Sequence, residues 1–208
     1  MEKLLYIESS PRKTRSRSIQ AAEAFLEAYR EANPDGQILK IDLWDKAIPE
    51  FDGHTIEAKY QVLHGQEFDS EQQVAWQAVV DLCDEFKSAD KYLFSLPMWN
   101  FGIPYKLKHY IDVITQPGQT FSFSPETGYS GLVTDRPAVA IYARGGSYVS
   151  EQTSAMDFQR TYLKLWLGFI GFTEIDEILY ESTLGAPEDV AQAKAVALSK
   201  ARELGSRF

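Results

Sequence analysis

The chain has 208 residues, 44% of them apolar, and a net charge of −9. That length suits a single domain over residues 1–208 with a full core, and the apolar content argues against disorder. The negative balance disfavours nucleic acid and anionic membrane surfaces as partners. No apolar run is long enough to span a bilayer. A single cysteine, Cys83, rules out an internal disulfide. With an N-terminus that shows no secretory pattern, it points to the reducing cytoplasm.

Leu4-Leu5-Tyr6-Ile7 reads as the first strand. The next eleven residues, Glu8 to Ser18, hold four cations (Arg12, Lys13, Arg15, Arg17) and five hydroxyls. A helix follows, with Ile19, Ala22, Phe25, Leu26 and Tyr29 on one face. A strand, a hydroxyl-rich loop and a helix N-terminus together make a place for phosphate, because unpaired amides and the helix dipole favour an anion there. The competing reading is an ordinary capped helix start, with Ser16 or Ser18 as N-cap and the arginines merely solvated.

A second strand runs from Gln37 to Ile41, after the turn signal Asn33-Pro34-Asp35-Gly36. Residues 48–53 look irregular. The polar segment 54–69 reads as a helix or flap over the site, and its His54 and His64 are either surface residues or substrate contacts. Val74, Ala75, Ala78, Val79, Leu82 and Phe86 mark an amphipathic helix.

Tyr92 to Leu96 reads as a buried strand that stops at Pro97. The loop Pro97-Met98-Trp99-Asn100-Phe101-Gly102 carries two aromatics, an amide and a glycine but few charges. Pro104 is expected in the first turn of the helix that follows, where its missing N–H does no harm. Ile103, Leu107, Tyr110, Ile111 and Ile114 face inward, and His109 is expected on the surface. In open parallel sheets ligands bind at the carboxyl ends of strands. Trp99 and Phe101 suit a planar apolar guest, whose polar edge Asn100 and loop amides would meet.

Phe121 and Phe123 alternate between turn signals and suggest a short hairpin. They either wall a pocket or form a minor apolar cluster. Pro137 to Tyr142 is a further strand that runs into Ala143-Arg144-Gly145-Gly146. The paired glycines either let the backbone approach a flat ligand or form an ordinary tight turn. Met156 to Phe169 is apolar on more than one helix face, so the excess is expected to meet another subunit. Gly168 and Gly171 close that helix. Glu174 to Tyr180 is the fifth strand of the alternating pattern, and Pro187 opens a last helix with Ala193, Val196, Ala197 and Leu204 inward. The alternation implies an α/β fold with a parallel sheet covered on both faces.

Several chemistries are missing. There is no Gly-x-Gly-x-x-Gly fingerprint, no P-loop, no histidine pair at metal spacing and no Gly-x-Ser-x-Gly elbow. Cys83 falls within an amphipathic helix and reads as packing. The chain is poor in side-chain acid–base chemistry and rich in means to hold one flat, phosphorylated ligand. A cofactor that brings its own reactivity accounts for both.

Ser9-Ser10 with Ser16-Arg17-Ser18, Pro97 to Phe101 with Ile103-Pro104, Leu107-Lys108 and Asp112, Arg144-Gly145-Gly146, and Leu167 to Gly171 follow one another in an order that resembles the FMN-dependent NADH:azo/quinone oxidoreductases (azoreductases) of the flavodoxin-like NAD(P)H quinone dehydrogenase superfamily. The resemblance implies a flavodoxin-like three-layer α/β/α fold with a five-stranded parallel sheet, a homodimer and one FMN per subunit. It implies that Ser10, Ser16 and Ser18, with the Arg17 amide, hold the FMN phosphate. It implies that Met98, Trp99, Asn100 and Phe101 cradle the isoalloxazine ring, and that Ala143, Arg144, Gly145 and Gly146 reach its pyrimidine end. The implied reaction is ping-pong two-electron transfer from NADH or NADPH to a quinone or azo compound, with no catalytic side chain because the chemistry takes place on the flavin. Arg12, Lys13 and Lys59 are candidates for the 2′-phosphate of NADPH. Trp99 stands where the family often has tyrosine, and Ala143 where serine or threonine is common. The alternatives are a flavodoxin-like electron carrier and a non-catalytic flavin- or quinone-sensing protein.

Overall fold

The structure is a computed structural model and describes residues 1–64, 66 and 69–208. Its centre is a five-stranded parallel sheet built from β1 (Lys3–Glu8), β2 (Gln37–Asp42), β3 (Lys91–Pro97), β6 (Ala138–Ala143) and β7 (Ile175–Tyr180), in the order β2-β1-β3-β6-β7. A separate antiparallel hairpin, β4 (Phe121–Ser124) and β5 (Gly128–Gly131), lies in the chain between β3 and β6.

Strand alternation divides the core into two layers. Leu5, Ile7, Tyr92, Phe94, Leu96, Ala138, Ala140 and Tyr142 face α3 (Ser70–Lys87), α4 (Tyr105–Ile114) and α6 (Phe158–Ile170). Leu4, Tyr6, Leu93, Val139, Ile141, Ala143, Ile178 and Tyr180 face α1 (Arg17–Ala32) and α7 (Pro187–Arg207). Helices on both faces explain why the central strands read as continuous apolar runs rather than alternating ones. The α1 and α7 helices approach closely at Gly205, where an added Cβ would lie 2.2 Å from the Phe25 carbonyl oxygen.

The remaining helices are α2 (Gly53–Leu63) and the single turn α5 (Glu151–Ser154). The expected helix or flap over 54–69 begins as α2, while residues 65, 67 and 68 of that segment lie outside the described residues. Among the described residues, no helix is long and apolar enough to cross a membrane.

Four details differ from the sequence reading. Pro104 is the N-cap of α4 rather than part of its first turn. Its ψ of 142° is extended, and its carbonyl accepts the helix's first bond from Lys108 N. Gly168 lies inside α6, and Gly171 alone ends that helix, because its φ of 119° is open to glycine. Val196 is more than half exposed, because the buried stripe of α7 runs through Ala197, Ala201, Leu204 and Gly205. His109 is half-buried, with Nε2 bonded to the Pro49 carbonyl at 3.0 Å.

Candidate cofactor site

The strand register places four loops at one end of the sheet. Glu8 stands opposite both Asp42 and Ser95, and Pro97 stands opposite Ala143. The loops after β1, β2, β3 and β6 therefore leave the sheet side by side, at the carboxyl ends of the strands.

The loop after β1 is bound to its neighbours. Ser9 donates from both its amide and its hydroxyl to the Ser95 carbonyl, at 3.1 and 2.8 Å. Lys13, in a left-handed conformation at φ 49°, reaches Asp42, Glu8 and Asp45 with its ammonium. Burial lowers the affinity of that ammonium for its proton, but the Asp42 carboxylate outweighs burial and its pKa ends above the ordinary lysine value. Lys13 is thus committed to internal carboxylates. Among the described residues Arg12, Arg15 and Arg17 make no ion pair, so the positive charge offered to a ligand comes from arginine.

Ser16 occupies the N-cap position of α1 but makes no capping bond. Its hydroxyl instead lies 3.1 Å from that of Ser18, and both serines are buried. The first bond of α1 runs from Gln20 N to Ser16 O at 3.0 Å, which leaves the amides of Arg17, Ser18 and Ile19 unspent. Among the described residues, two buried hydroxyls that bond only to each other, three unspent amides and a helix N-terminus form a donor set without an acceptor. Such a set fits a phosphate dianion, and the phosphate of FMN suits it. Ser10 borders the set. It too is buried, and its hydroxyl accepts from Arg12 N at 3.4 Å.

The loop after β3 is a tight reversal. Trp99 N and Gly102 N each donate to the other residue's carbonyl, at 3.0 and 2.9 Å. Asn100 and Phe101 between them have φ values of 47° and 69°. Positive φ at both central positions is the two-residue turn that matches strand twist, usually built from Asn and Gly. Asn100 tolerates that conformation. Phe101 does so only at a cost, and strain of this kind collects at ligand-holding sites. The turn lifts the Phe101 ring into solvent, with 48% of the residue exposed. Met98 N bonds to the Ala143 carbonyl at 2.8 Å, and Gln159 Nε2 to the Leu96 carbonyl at 3.1 Å. Met98, Trp99, Asn100 and Phe101 thus sit beside Ala143, Gly145 and Gly146.

Arg144 differs from its neighbours. Its guanidinium is buried and spans Asp157, the N-cap of α6, and Glu181, just past β7. Its amide donates to Tyr180, and its carbonyl accepts from Thr183. The side chain braces the turn from behind. At Gly145 an added Cβ would strike the Leu184 side chain at 2.7 Å.

A cleft of about 900 Å3 opens beside the 98–103 turn. Its lining includes Phe51, Lys59, Trp99, Tyr105, His109 and Asp112. Of the residues expected to hold FMN, Trp99 and Asn100 line it, as does Lys59, considered for the 2′-phosphate of NADPH, so the cleft adjoins the phosphate cradle rather than containing it. Lys59 has no ion pair among the described residues, lies 5.7 Å over the Phe51 ring, and has its pKa pushed down by burial. His54 and His64 are both exposed and outside the lining. Phe121 and Phe123 also lie apart from it. Phe121 packs on Phe169 of α6, and Phe123 on Tyr129 within the hairpin.

The sequence reading did not single out Trp44. It stands between the loops, with its ring 5.8 Å from Trp99 and 5.5 Å from Tyr105. A tryptophan two residues past a strand's carboxyl end, after a buried Leu43, is the signal that was available.

The model of the flavodoxin-like fold family matches residues 2–204. The chain is 50% identical to the FMN-dependent NADH:quinone oxidoreductase of Desulfotalea psychrophila, over 99% of both chains. It is 45% identical to a protein of the same name in Nitratidesulfovibrio vulgaris, over the whole of each. Among solved structures, an FMN-dependent NADH-azoreductase from Bacillus anthracis in complex with FMN is similar with a TM-score of 0.89 and 33% identity, covering 100% of this chain and 99% of that one. Another azoreductase from Bacillus anthracis is similar with a TM-score of 0.93 and 28% identity, over the whole of both chains.

Proposed function

Because the chain belongs to the flavodoxin-like fold family, and within it to the FMN-dependent NADH:quinone oxidoreductases, we propose which of its residues carry that activity. The protein is an FMN-dependent enzyme that uses NADH to reduce quinones and azo compounds. When bound, FMN supplies the two-electron chemistry that the side chains lack.

The chain's own part is binding and orientation. The hydroxyls of Ser16 and Ser18, the amides that open α1 and the Ser10 hydroxyl hold the phosphate. The observation that carries this assignment is the N-cap serine whose buried hydroxyl caps nothing. Arg17 adds charge at the same helix end. Met98, Trp99, Asn100 and Phe101 form one wall for the ring system on a strained, preset turn. Ala143, Gly145 and Gly146 offer backbone at its polar edge, where fixed donors stabilise negative charge as it develops. Arg144 is assigned to bracing that turn rather than touching the ligand. The cleft bounded by Phe51, Trp99 and Tyr105 receives the nicotinamide and then the acceptor, whose rings its aromatic side chains can stack against. Of the cations considered for the 2′-phosphate of NADPH, Lys59 alone lines the cleft, so NADPH use is proposed to depend on it.

A homodimer is part of the same reading. Phe158 and Leu165 on α6 and Phe123 and Tyr129 on the hairpin are each more than half exposed. Tyr129 also touches Phe169 of α6, so hairpin and helix are adjacent. Apolar exposure of this kind supports a partner surface.

The deciding experiment is an anaerobic absorbance titration of the purified protein. NADH is expected to bleach the flavin absorbance, and benzoquinone to restore it. Bound FMN that NADH leaves coloured would favour an electron carrier, and failure to take up FMN would overturn the assignment.

A further inference from the structure

We infer that Trp44 is a positioning residue that sets the phosphate cradle against the ring-side turn. The inference rests on the phosphate assignment above. Trp44 follows β2 and donates its indole N–H to the Ser9 carbonyl at 3.0 Å. Ser9 is already held through its amide and hydroxyl to Ser95, so this bond fixes its third polar group. A trans peptide places the next N–H opposite the carbonyl. With the Ser9 carbonyl turned to Trp44, the Ser10 amide must point away from Trp44. Among the described residues that amide has no hydrogen-bond partner. The same indole packs against Trp99, with ring centroids 5.8 Å apart, and against Tyr105, with centroids 5.5 Å apart and the rings nearly perpendicular. One side chain therefore touches both the loop that offers donors to phosphate and the turn that walls the ring.

Trp44 is itself held in place. Its amide donates to Asp42 Oδ1 at 3.1 Å, and Leu43 N donates to the Glu8 carbonyl at 3.0 Å. Asp42 also takes the Lys13 ammonium, so the β2 end grips the cradle loop at two points. A tryptophan kept only for packing would not need to direct its N–H at this carbonyl. Trp44 is only partly buried and lies outside both core clusters.

The test compares FMN with riboflavin, which lacks the phosphate. Full-length wild type and Trp44→Phe, both freed of flavin, are titrated with each ligand by fluorescence quenching. Wild type is expected to bind FMN at least a hundredfold more tightly than riboflavin. Trp44→Phe keeps a ring against Trp99 but has no N–H. It is expected to lose about five- to tenfold in FMN affinity, the worth of one neutral hydrogen bond, and less than twofold for riboflavin. Trp44→Leu, a second variant with no polar hydrogen on its side chain, is expected to show the same selective loss of FMN affinity if the phenylalanine variant melts early. Equal losses for both ligands, or no loss for either, would overturn the inference while leaving the phosphate assignment intact. A wild type that fails to prefer FMN would overturn the assignment itself, and the inference with it.

Discussion

Phe101 offers a direct test of the strained turn, through the difference between two substitutions. Both Phe101→Ala and Phe101→Gly remove the ring, so both lose the same side-chain contacts. They differ in backbone cost. At φ 69° a residue with a Cβ pays roughly 1–2 kcal/mol for left-handed backbone. Glycine escapes that cost but loses about 0.5–1 kcal/mol more chain entropy on folding. The net expectation is that Phe101→Gly is more stable than Phe101→Ala by about 1 kcal/mol. At ordinary positions the order is the reverse. Urea unfolding of the two flavin-free variants reads the difference, which for a chain of this size corresponds to a melting shift of about 2–4 °C. Both variants should hold FMN more weakly than wild type and to similar extents. An alanine variant equal to or more stable than the glycine one would refute the turn geometry, and with it the argument that the ring wall is preset before ligand arrives.

Ser16→Ala combined with Ser18→Ala should cut FMN affinity by about a hundred- to ten-thousandfold, each bond to a charged phosphate being worth roughly 1.5–3 kcal/mol; equilibrium dialysis giving unchanged affinity would remove the cradle assignment. Gly205→Ala drives a Cβ to within 2.2 Å of the Phe25 carbonyl and should destabilise the protein by about 1–3 kcal/mol; an unchanged melting temperature would show that α1 and α7 can part without penalty. The Glu177 carboxyl feels burial, which pushes its pKa up, but the two bonds from Arg160 outweigh burial and hold it below its ordinary 4.5. Its stabilisation is therefore complete above pH 4.5 and is lost as pH falls through the depressed value. Glu177→Gln should melt lower at pH 7 but lose less stability than wild type between pH 5 and 3, and parallel pH profiles would count against the pair. Burial pushes the Cys83 thiol up to about 12, so Ellman's reagent at pH 8 should find no reactive thiol in the native protein and one after unfolding.

The strands and helices of the sheet were legible because their apolar spacing reports burial directly: Tyr92 to Leu96 could hardly be anything but a central strand. The loops were legible as chemistry but not as shape. The serines before α1 indicated an anion site, yet only the structure shows that Ser16 leaves its helix uncapped. Asn100-Phe101 gave no hint of a turn with two positive φ values, since phenylalanine is a poor residue for it. The resemblance put Arg144 at the ligand's pyrimidine end; that its guanidinium pairs with Asp157 and Glu181, 13 and 37 positions away, lies beyond any local pattern. Trp44 was passed over for the same reason: its meaning depends on Ser9 and Trp99, which the fold brings to it from both directions. Phe121 and Phe123 showed the hairpin correctly, while its distance from the cleft is a tertiary fact that alternation does not carry.

The four loops of the site leave the sheet after β1, β2, β3 and β6, so the cradle comes from segments that span residues 9 to 146. Parallel strands pair only after long crossovers close, and such contacts form late and slowly. The Ser9 loop needs β3 beside it to be held at all, and the Met98 amide needs β6. No early piece of the nascent chain can therefore present a finished pocket. Flavin capture during refolding becomes a timer for the moment β6 docks against β3, and the quenching of flavin fluorescence in a folding sample marks a nearly completed sheet rather than a local nucleus.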